Sequence, residues 1–259
     1  MAEKIKVMTF NLRVAVKGDG VNYFDYRLPR ILEFLNAEKP DVVGFQEVND
    51  HMKEALNEHL TDYVIVGCGR ESSYRGESAC LAYRKDRFQL ITLENFWLSA
   101  TPTMPGSRYG IDQSSCPRVT TAALLKLREA SAPFWFVNTH LDHRGAEAQK
   151  NGLALIVERI ASINPQGYPM VLTGDFNIKP NNPALVDLDK IMQCTRKVAL
   201  VTDNHNTFNG WGKAKSDSVI DYIYFSGFSR CVEYQTVTKE YGGRKFISDH
   251  FPIISTLVF

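Results

Sequence analysis

Val171-Leu172-Thr173-Gly174-Asp175-Phe176-Asn177-Ile178-Lys179-Pro180 joins a buried apolar run to two polar side chains of different chemistry. Met170, Val171 and Leu172 predict a strand over Met170–Thr173 that leaves its sheet at the carboxyl edge, where side chains project into a crevice. There Asp175 can orient a water and Asn177 can donate to a phosphoryl oxygen. The same residues also suit an Asx-turn begun by Asp175 with a left-handed residue at Asn177, so the segment alone does not decide between a turn and a site. Its weight comes from three other strand ends that turn polar in the same way.

Pro40-Asp41-Val42-Val43-Gly44-Phe45-Gln46-Glu47 is a short β-branched run ending on a carboxylate. Glu47 stands where a metal ligand would, or in the first turn of a helix over Asn49–Leu60, where a carboxylate favours the dipole. Phe134-Trp135-Phe136-Val137-Asn138-Thr139-His140 is an apolar strand followed by a helix, and it offers Asn138 to substrate and His140 as an acid or phosphate donor. Ser248-Asp249-His250 precedes the last apolar strand, so that Asp249 can meet a cation while His250 meets phosphate.

In combination and in order, these motifs resemble the endonuclease/exonuclease/phosphatase superfamily, the group of deoxyribonuclease I. MTFNLR carries Asn11, FQEV Glu47, NTHLDH His140, TGDFNIKP Asp175 and Asn177, IDYIYF Asp221, and SDHFPI Asp249 and His250. Each motif is weak alone. Their sequence from Lys6 to the last residues is specific, and Cys116-Pro117-Arg118-Val119 resembles a segment of a poorly characterised bacterial subgroup. The resemblance implies that Glu47 is the main metal ligand, with Asp249 and Asn11 completing the site directly or through water. It implies that Asp175 aligns or deprotonates the attacking water, that Asn177 binds phosphate, and that His140 and His250 flank the scissile group. In deoxyribonuclease-like members a carboxylate backs each imidazole, which points to Glu77 behind His140 and Asp221 behind His250. Arg118 is a candidate phosphate contact and Trp211 a candidate stacking surface for a base or sugar.

Hydrolysis of a phosphate ester needs these residue types together. A cation neutralises the charge building on the phosphoryl oxygens while a base prepares water for in-line attack. Carboxylates and an amide are hard oxygen ligands that suit Mg²⁺, with Mn²⁺ as a substitute, rather than zinc. The expected activity is a divalent-metal-dependent phosphodiesterase on a nucleotide-containing or other small phosphorylated molecule. The alternatives are a DNA repair endonuclease or exonuclease, and a non-catalytic phosphate binder. His140 stands where exonuclease III-like members carry a tyrosine, which points to the deoxyribonuclease branch.

A formal net charge of +1 over 259 residues lacks the basic footprint of a protein that grips long nucleic acids. The five cysteines are scattered without a C-x-x-C pair, as expected of reduced thiols and small core residues. Met1–Lys4 is short and charged and no apolar run is long enough for a membrane, so the expectation is a cytoplasmic protein with no membrane anchor and no obligate protein partner.

Strands are predicted at Lys4–Asn11, Val42–Gln46, Tyr63–Gly67, Ser78–Tyr83, Phe88–Leu98, Thr120–Arg128, Phe134–Thr139, Met170–Thr173, Asp221–Phe225, Cys231–Thr238 and Pro252–Phe259. Helices are predicted at Tyr26–Glu38, with Pro29 in its first turn, and at Gly145–Ile163, with Leu153, Ile156 and Ile160 on one stripe. Many strands and few long helices favour an α/β fold in four layers, two mixed β-sheets packed face to face with helices outside. Candidate residues come from both halves of the chain, which predicts one domain over 1–259. Ser99–Pro117 is expected to be a mobile surface loop or a substrate lid.

Overall fold

The computed structural model describes residues 3–110, 112–128 and 132–259, so Met1, Ala2, residue 111 of the long loop and residues 129–131 lie outside it. Strand β1 (Lys4–Asn11) alternates its side chains strictly, as period 2 requires. Ile5 and Val7 face a second sheet, while Met8 and Phe10 face helices. The same division recurs on β7 (Pro133–His140), where Phe134 and Phe136 face the other sheet and Trp135 and Val137 face a helix. Strands buried on both faces need cover on both, and that requirement builds four layers.

One sheet has the order β11-β12-β1-β2-β4-β3, with β2 at Val42–Gln46, β3 at Tyr63–Val66, β4 at Leu81–Arg84, β11 at Arg230–Thr236 and β12 at Ile253–Val258. The other runs β5-β6-β7-β8-β10-β9, with β5 at Phe88–Trp97, β6 at Val119–Leu127, β8 at Met170–Asp175, β9 at Gln193–Cys194 and β10 at Asp221–Ser226. Helices α1 (Phe24–Glu38) and α2 (Asp50–His59) cover the first sheet through Ile31, Phe34, Met52 and Leu56. Helix α3 (Ala146–Ile163) covers the second through Leu153, Ile156 and Ile160, beside the short α4 (Val186–Ile191) and, farther on, α5 (Thr195–Val198).

Each sheet contains one parallel pair, β1 with β2 and β7 with β8, and every other pairing is antiparallel. Parallel neighbours end at the same edge, and the antiparallel strands beside them begin there. Hence Asn11, Glu47, His140 and Asp175 at strand ends, and Asp221 and His250 at or before strand starts, share one edge of the sandwich. Asp221 lies directly opposite Asp175, and His140 is also in register with Asp175.

Near that edge the apolar core between the sheets gives way to a buried polar layer. Asn138, fully buried, donates through Nδ2 to the carbonyls of Phe45 (2.8 Å) and Cys80 (3.0 Å) across the sandwich. Its Oδ1 accepts from Gln46 Nε2 (2.7 Å) and Thr173 Oγ1 (3.0 Å). Gly44 sits against this layer, and a Cβ there would collide with Thr173 Oγ1 and Asn138 Oδ1.

The predicted strands are present, shifted at their ends by a few residues. Ser78 is the largest difference, forming isolated bridges to Val48 and Gly69 ahead of β4. All five cysteines are unpaired, and Cys80, Cys194 and Cys231 are buried. The described part of the 99–117 loop is fastened rather than loose. Asp112 accepts from the backbone of Glu147 and Ala148 at the start of α3, Tyr109 donates to the Asn151 carbonyl, and Ser114 donates to Asp142. Among the described residues no helix is long and apolar enough to cross a membrane.

Candidate active site

The strand ends open into one cavity of 430 Å³ whose walls include Glu47, Asp175, Asn177, His140, Asp249 and His250. Arg13, Glu47 and Asn177 hold left-handed backbones, with φ of 55°, 61° and 54°. For residues other than glycine this conformation costs roughly 1–2 kcal/mol, and it is found where surrounding structure enforces it. At Glu47 it separates β2 from α2, so the carboxylate turns into the cavity instead of decorating the first turn of the helix, which begins at Asp50 behind an Asn49 cap.

Asp175 is at the centre. Its Oδ1 accepts from the backbone of Asn177 at 2.9 Å, the Asx geometry, while Oδ2 accepts from Asn11 Nδ2 at 3.0 Å. Oδ2 lies 3.5 Å from His140 Nε2 and 3.7 Å from His250 Nε2, placing one carboxylate between two imidazoles. Burial, and then the charge of Asp221, push the Asp175 pKa above the usual carboxylate range. His250 donates from Nδ1 to both oxygens of Asp221, at 3.1 and 2.9 Å, and Phe208 packs edge-on against its ring at 5.0 Å. Burial alone would lower the His250 pKa, but Asp221 and Asp175 outweigh it and raise it to about 10. His140 is the opposite case, held well below its ordinary value first by burial and then by the charges of Arg118 and Arg70. A neutral His140 accepts at Nε2 from Asn177 Nδ2, 3.1 Å away. Their surroundings therefore push the two imidazoles in opposite directions.

Across the cavity stand Glu47 and Asp249. Glu47 accepts from Asn11 Nδ2 (3.2 Å) and from the backbone of Val14 (2.8 Å). The Asp249 pKa is raised, first by burial and, among the neighbouring charges, by Glu47, with Arg13 as a counter-charge 3.8 Å away. Two half-buried carboxylates that repel one another and face an open volume fit a hard divalent cation. The Asn11 amide points its nitrogen at Glu47 and Asp175, and its oxygen accepts from the Arg13 backbone, so it braces the acids rather than offering them a third oxygen. Asp175, Asp221 and His250 also converge within 4.8 Å. In that trio His250 Nδ1 and the Asp221 carboxylate are already engaged with each other, whereas Glu47 and Asp249 face the open volume.

The third wall is cationic. Arg118 is only 4% exposed, donates to His143 Nδ1 (2.9 Å), lies 3.8 Å from Asp142 and leaves its Nε without a hydrogen-bond partner. Burial, and then the charge of Arg70, lower its pKa. Arg70 grips Glu77 with two bonds of 2.8 and 2.7 Å. Arg13 and His143 lie inside the MTFNLR and NTHLDH motifs and Arg70 outside any, and the sequence reading singled out none of them. Nor did it single out Arg27, fully buried, whose guanidinium ties the carbonyls of Leu12, Arg13 and Ile247 together and so fixes the segments bearing Asn11 and Asp249.

Three further expectations need correction. Glu77 does not back His140: its carboxylate is engaged by Arg70, and no carboxylate among the described residues bonds the far nitrogen of His140. Asn138 does not meet substrate, because it is fully buried in the polar layer between the sheets. Trp211 is absent from the cavity walls and lies under the Arg27 guanidinium, 5.4 Å from it. Arg118, by contrast, lines the cavity and is no surface ion pair.

Residues 8–250 match the Endonuclease/Exonuclease/phosphatase family. Among solved structures the chain is similar to an endonuclease/exonuclease/phosphatase from Bacteroides vulgatus, at 30% identity and a TM-score of 0.92 over 98% of both chains. It is equally similar in fold to a mannosyl-6-phosphatase of Bacteroides thetaiotaomicron, with a TM-score of 0.92 and 28% identity over 98% of this chain and 100% of that one. An uncharacterized protein of Acanthamoeba polyphaga mimivirus matches over 250 residues at 23% identity, covering 89% of this chain and 91% of its own.

Proposed function

The chain belongs to the Endonuclease/Exonuclease/phosphatase family, whose members hydrolyse phosphoric esters, and on that premise we propose that it hydrolyses the phosphate ester of a small phosphorylated molecule with a divalent cation, Mg²⁺ or Mn²⁺. The observation that carries this reading is the Asp175 carboxylate set between the His140 and His250 imidazoles, across one cavity from Glu47 and Asp249. Glu47 and Asp249, braced by Asn11, would hold the cation, which when bound offsets negative charge on the phosphoryl oxygens. Asp175 orients the attacking water and accepts its proton, as its raised pKa suits. Protonated His250, fixed by Asp221, donates to a phosphoryl oxygen or to the leaving group. Asn177 holds a second oxygen of the phosphate with the amide hydrogen it otherwise gives to His140 Nε2, and Arg118 reaches a third.

A phosphomonoester is favoured over the diester expected from the sequence. The similarity to a mannosyl-6-phosphatase supports this choice and adds sugar phosphates to the substrates worth testing.

The test compares p-nitrophenyl phosphate with its bis ester in Mg²⁺ or Mn²⁺. Turnover is expected to vanish with chelator and to fall at least about a hundredfold in Asp175→Asn and His250→Ala. No turnover of either ester with any divalent ion would support a phosphate binder instead, and preference for the bis ester would restore the phosphodiesterase.

A further inference from the structure

A second groove, 710 Å³ in volume, lies beside the N-terminus of α1, lined by Lys17, Val21, Tyr23, Tyr26, Arg30 and Arg244. It shares no residue with the catalytic cavity. Its distinctive feature is unmatched positive charge. Tyr241 and Arg244 form a bridge across Gly242 and Gly243, whose φ values of 54° and 67° only glycine adopts readily. A Cβ on Gly242 would lie 2.6 Å from Arg30 Cγ, so the turn is pressed onto the Arg30 stem and delivers Arg244 alongside it. The Arg30 Nε is buried without a hydrogen-bond partner, and neither arginine nor Lys17 has an ion pair among the described residues.

The nearby acids make no ion pair with these cations. Asp19 is bound to Arg13, Asp25 is paired with His51, and Glu33, the carboxylate nearest the turn, makes no ion pair with either arginine. Arg244 lies close enough for its charge to disfavour that of Arg30, and a bound dianion relieves such repulsion between two guanidiniums without ion pairs through bidentate bonds. The rest of the groove is of another kind. Tyr26 is 68% and Val21 73% exposed, and Tyr23 meets Tyr26 edge-on at 6.1 Å, leaving an aromatic and apolar wall beside the charges.

We propose that this groove is a binding site for a nucleotide, its phosphate on Arg30, Arg244 and Lys17 and its base stacked on Tyr26. The volume matches a single small ligand. Stacking on tyrosine suits a flat base, and the formal net charge of +1 argues against a longer polyanion.

Binding of AMP to the whole protein is measured by calorimetry with Asp175→Asn in chelator, so that nothing is hydrolysed. Arg244→Gln and Arg30→Gln are each expected to weaken AMP about tenfold or more, and Tyr26→Ala several-fold, while inorganic phosphate and mannose 6-phosphate bind more weakly than AMP. In the otherwise native protein, Arg244→Gln should leave p-nitrophenyl phosphate turnover and melting temperature unchanged; it lies on an exposed turn, so it remains readable if Arg30→Gln misfolds. No binding of AMP would overturn the proposal. So would AMP affinity that Arg244→Gln leaves intact, which would put the nucleotide elsewhere, or phosphate or mannose 6-phosphate binding as tightly as AMP, which would remove the base from recognition.

Discussion

Replacing Asn138 by alanine separates two roles that the NTHL motif leaves open, contact with substrate and fastening of the two sheets. The structure favours the second. The side chain makes four buried hydrogen bonds, to Phe45, Cys80, Gln46 and Thr173. Not all of the partners are stranded by its loss. Gln46 Nε2 keeps Thr9 and the Gly44 carbonyl, Thr173 Oγ1 keeps the Val137 carbonyl, and the Cys80 carbonyl still accepts from the Phe45 backbone. The Phe45 carbonyl loses its only side-chain donor inside a closed layer. Four bonds at roughly 1 kcal/mol net each, plus a small void, give an expected loss of about 3–5 kcal/mol. In a chain of this length that corresponds to a melting temperature lower by about 10 °C. Urea titration should show a lower midpoint at unchanged slope, and below the transition KM for p-nitrophenyl phosphate should stay near that of the parent. A stability loss below about 1 kcal/mol, or a tenfold rise in KM without one, would refute the clamp and return Asn138 to the substrate.

Asp221→Asn keeps the shape beside His250 but removes the charge that fixes and protonates it, so kcat for p-nitrophenyl phosphate should fall about a hundredfold or more with little change in KM; equal kcat would dissolve the pair. Gly44→Ala should cost about 3 kcal/mol or more, read as loss of soluble protein or an early urea midpoint, because its Cβ has no space between Thr173 and Asn138. Burial alone would raise the Asp142 pKa, but the Gly145 amide, the Ser114 hydroxyl and the Arg144 and Ser114 amides bring it down to about 2. Its stabilising contribution is therefore present above the unfolded-state value of about 4 and lost as pH falls towards the folded one. Asp142→Asn should be less stable than the parent at pH 7, and the gap should close between about pH 4 and 2; a gap independent of pH would contradict the assignment.

Much of the fold was legible because both sheets are read by alternation, and the polar strand ends announced the edge where chemistry sits. Residue parity also held the answer for Asn138, which shares a face with Phe134 and Phe136 and so belongs between the sheets. The motif drew attention to its identity and away from its phase. The two-residue β9 has too little pattern to be read, and it exists because β10 offers it an edge. Glu77 was placed by analogy, but its partner is set by a compact turn over 69–77 that brings Arg70 within reach, a contact no spacing rule anticipates. Arg13 and Arg70 became visible as cavity walls only once distant loops met.

The left-handed backbones at Arg13, Glu47 and Asn177 carry a consequence for anyone improving this protein. Glycine at 13 or 47 would relax the chain by about 1 kcal/mol while deleting a side chain that faces the cavity. A screen rewarding only survival at high temperature would be drawn to those two positions and would return robust, inert variants. At 177 asparagine is already among the residue types that tolerate this geometry, so the pull is weaker. Durability and turnover diverge at identifiable codons, and thermal selection should hold 13 and 47 constant.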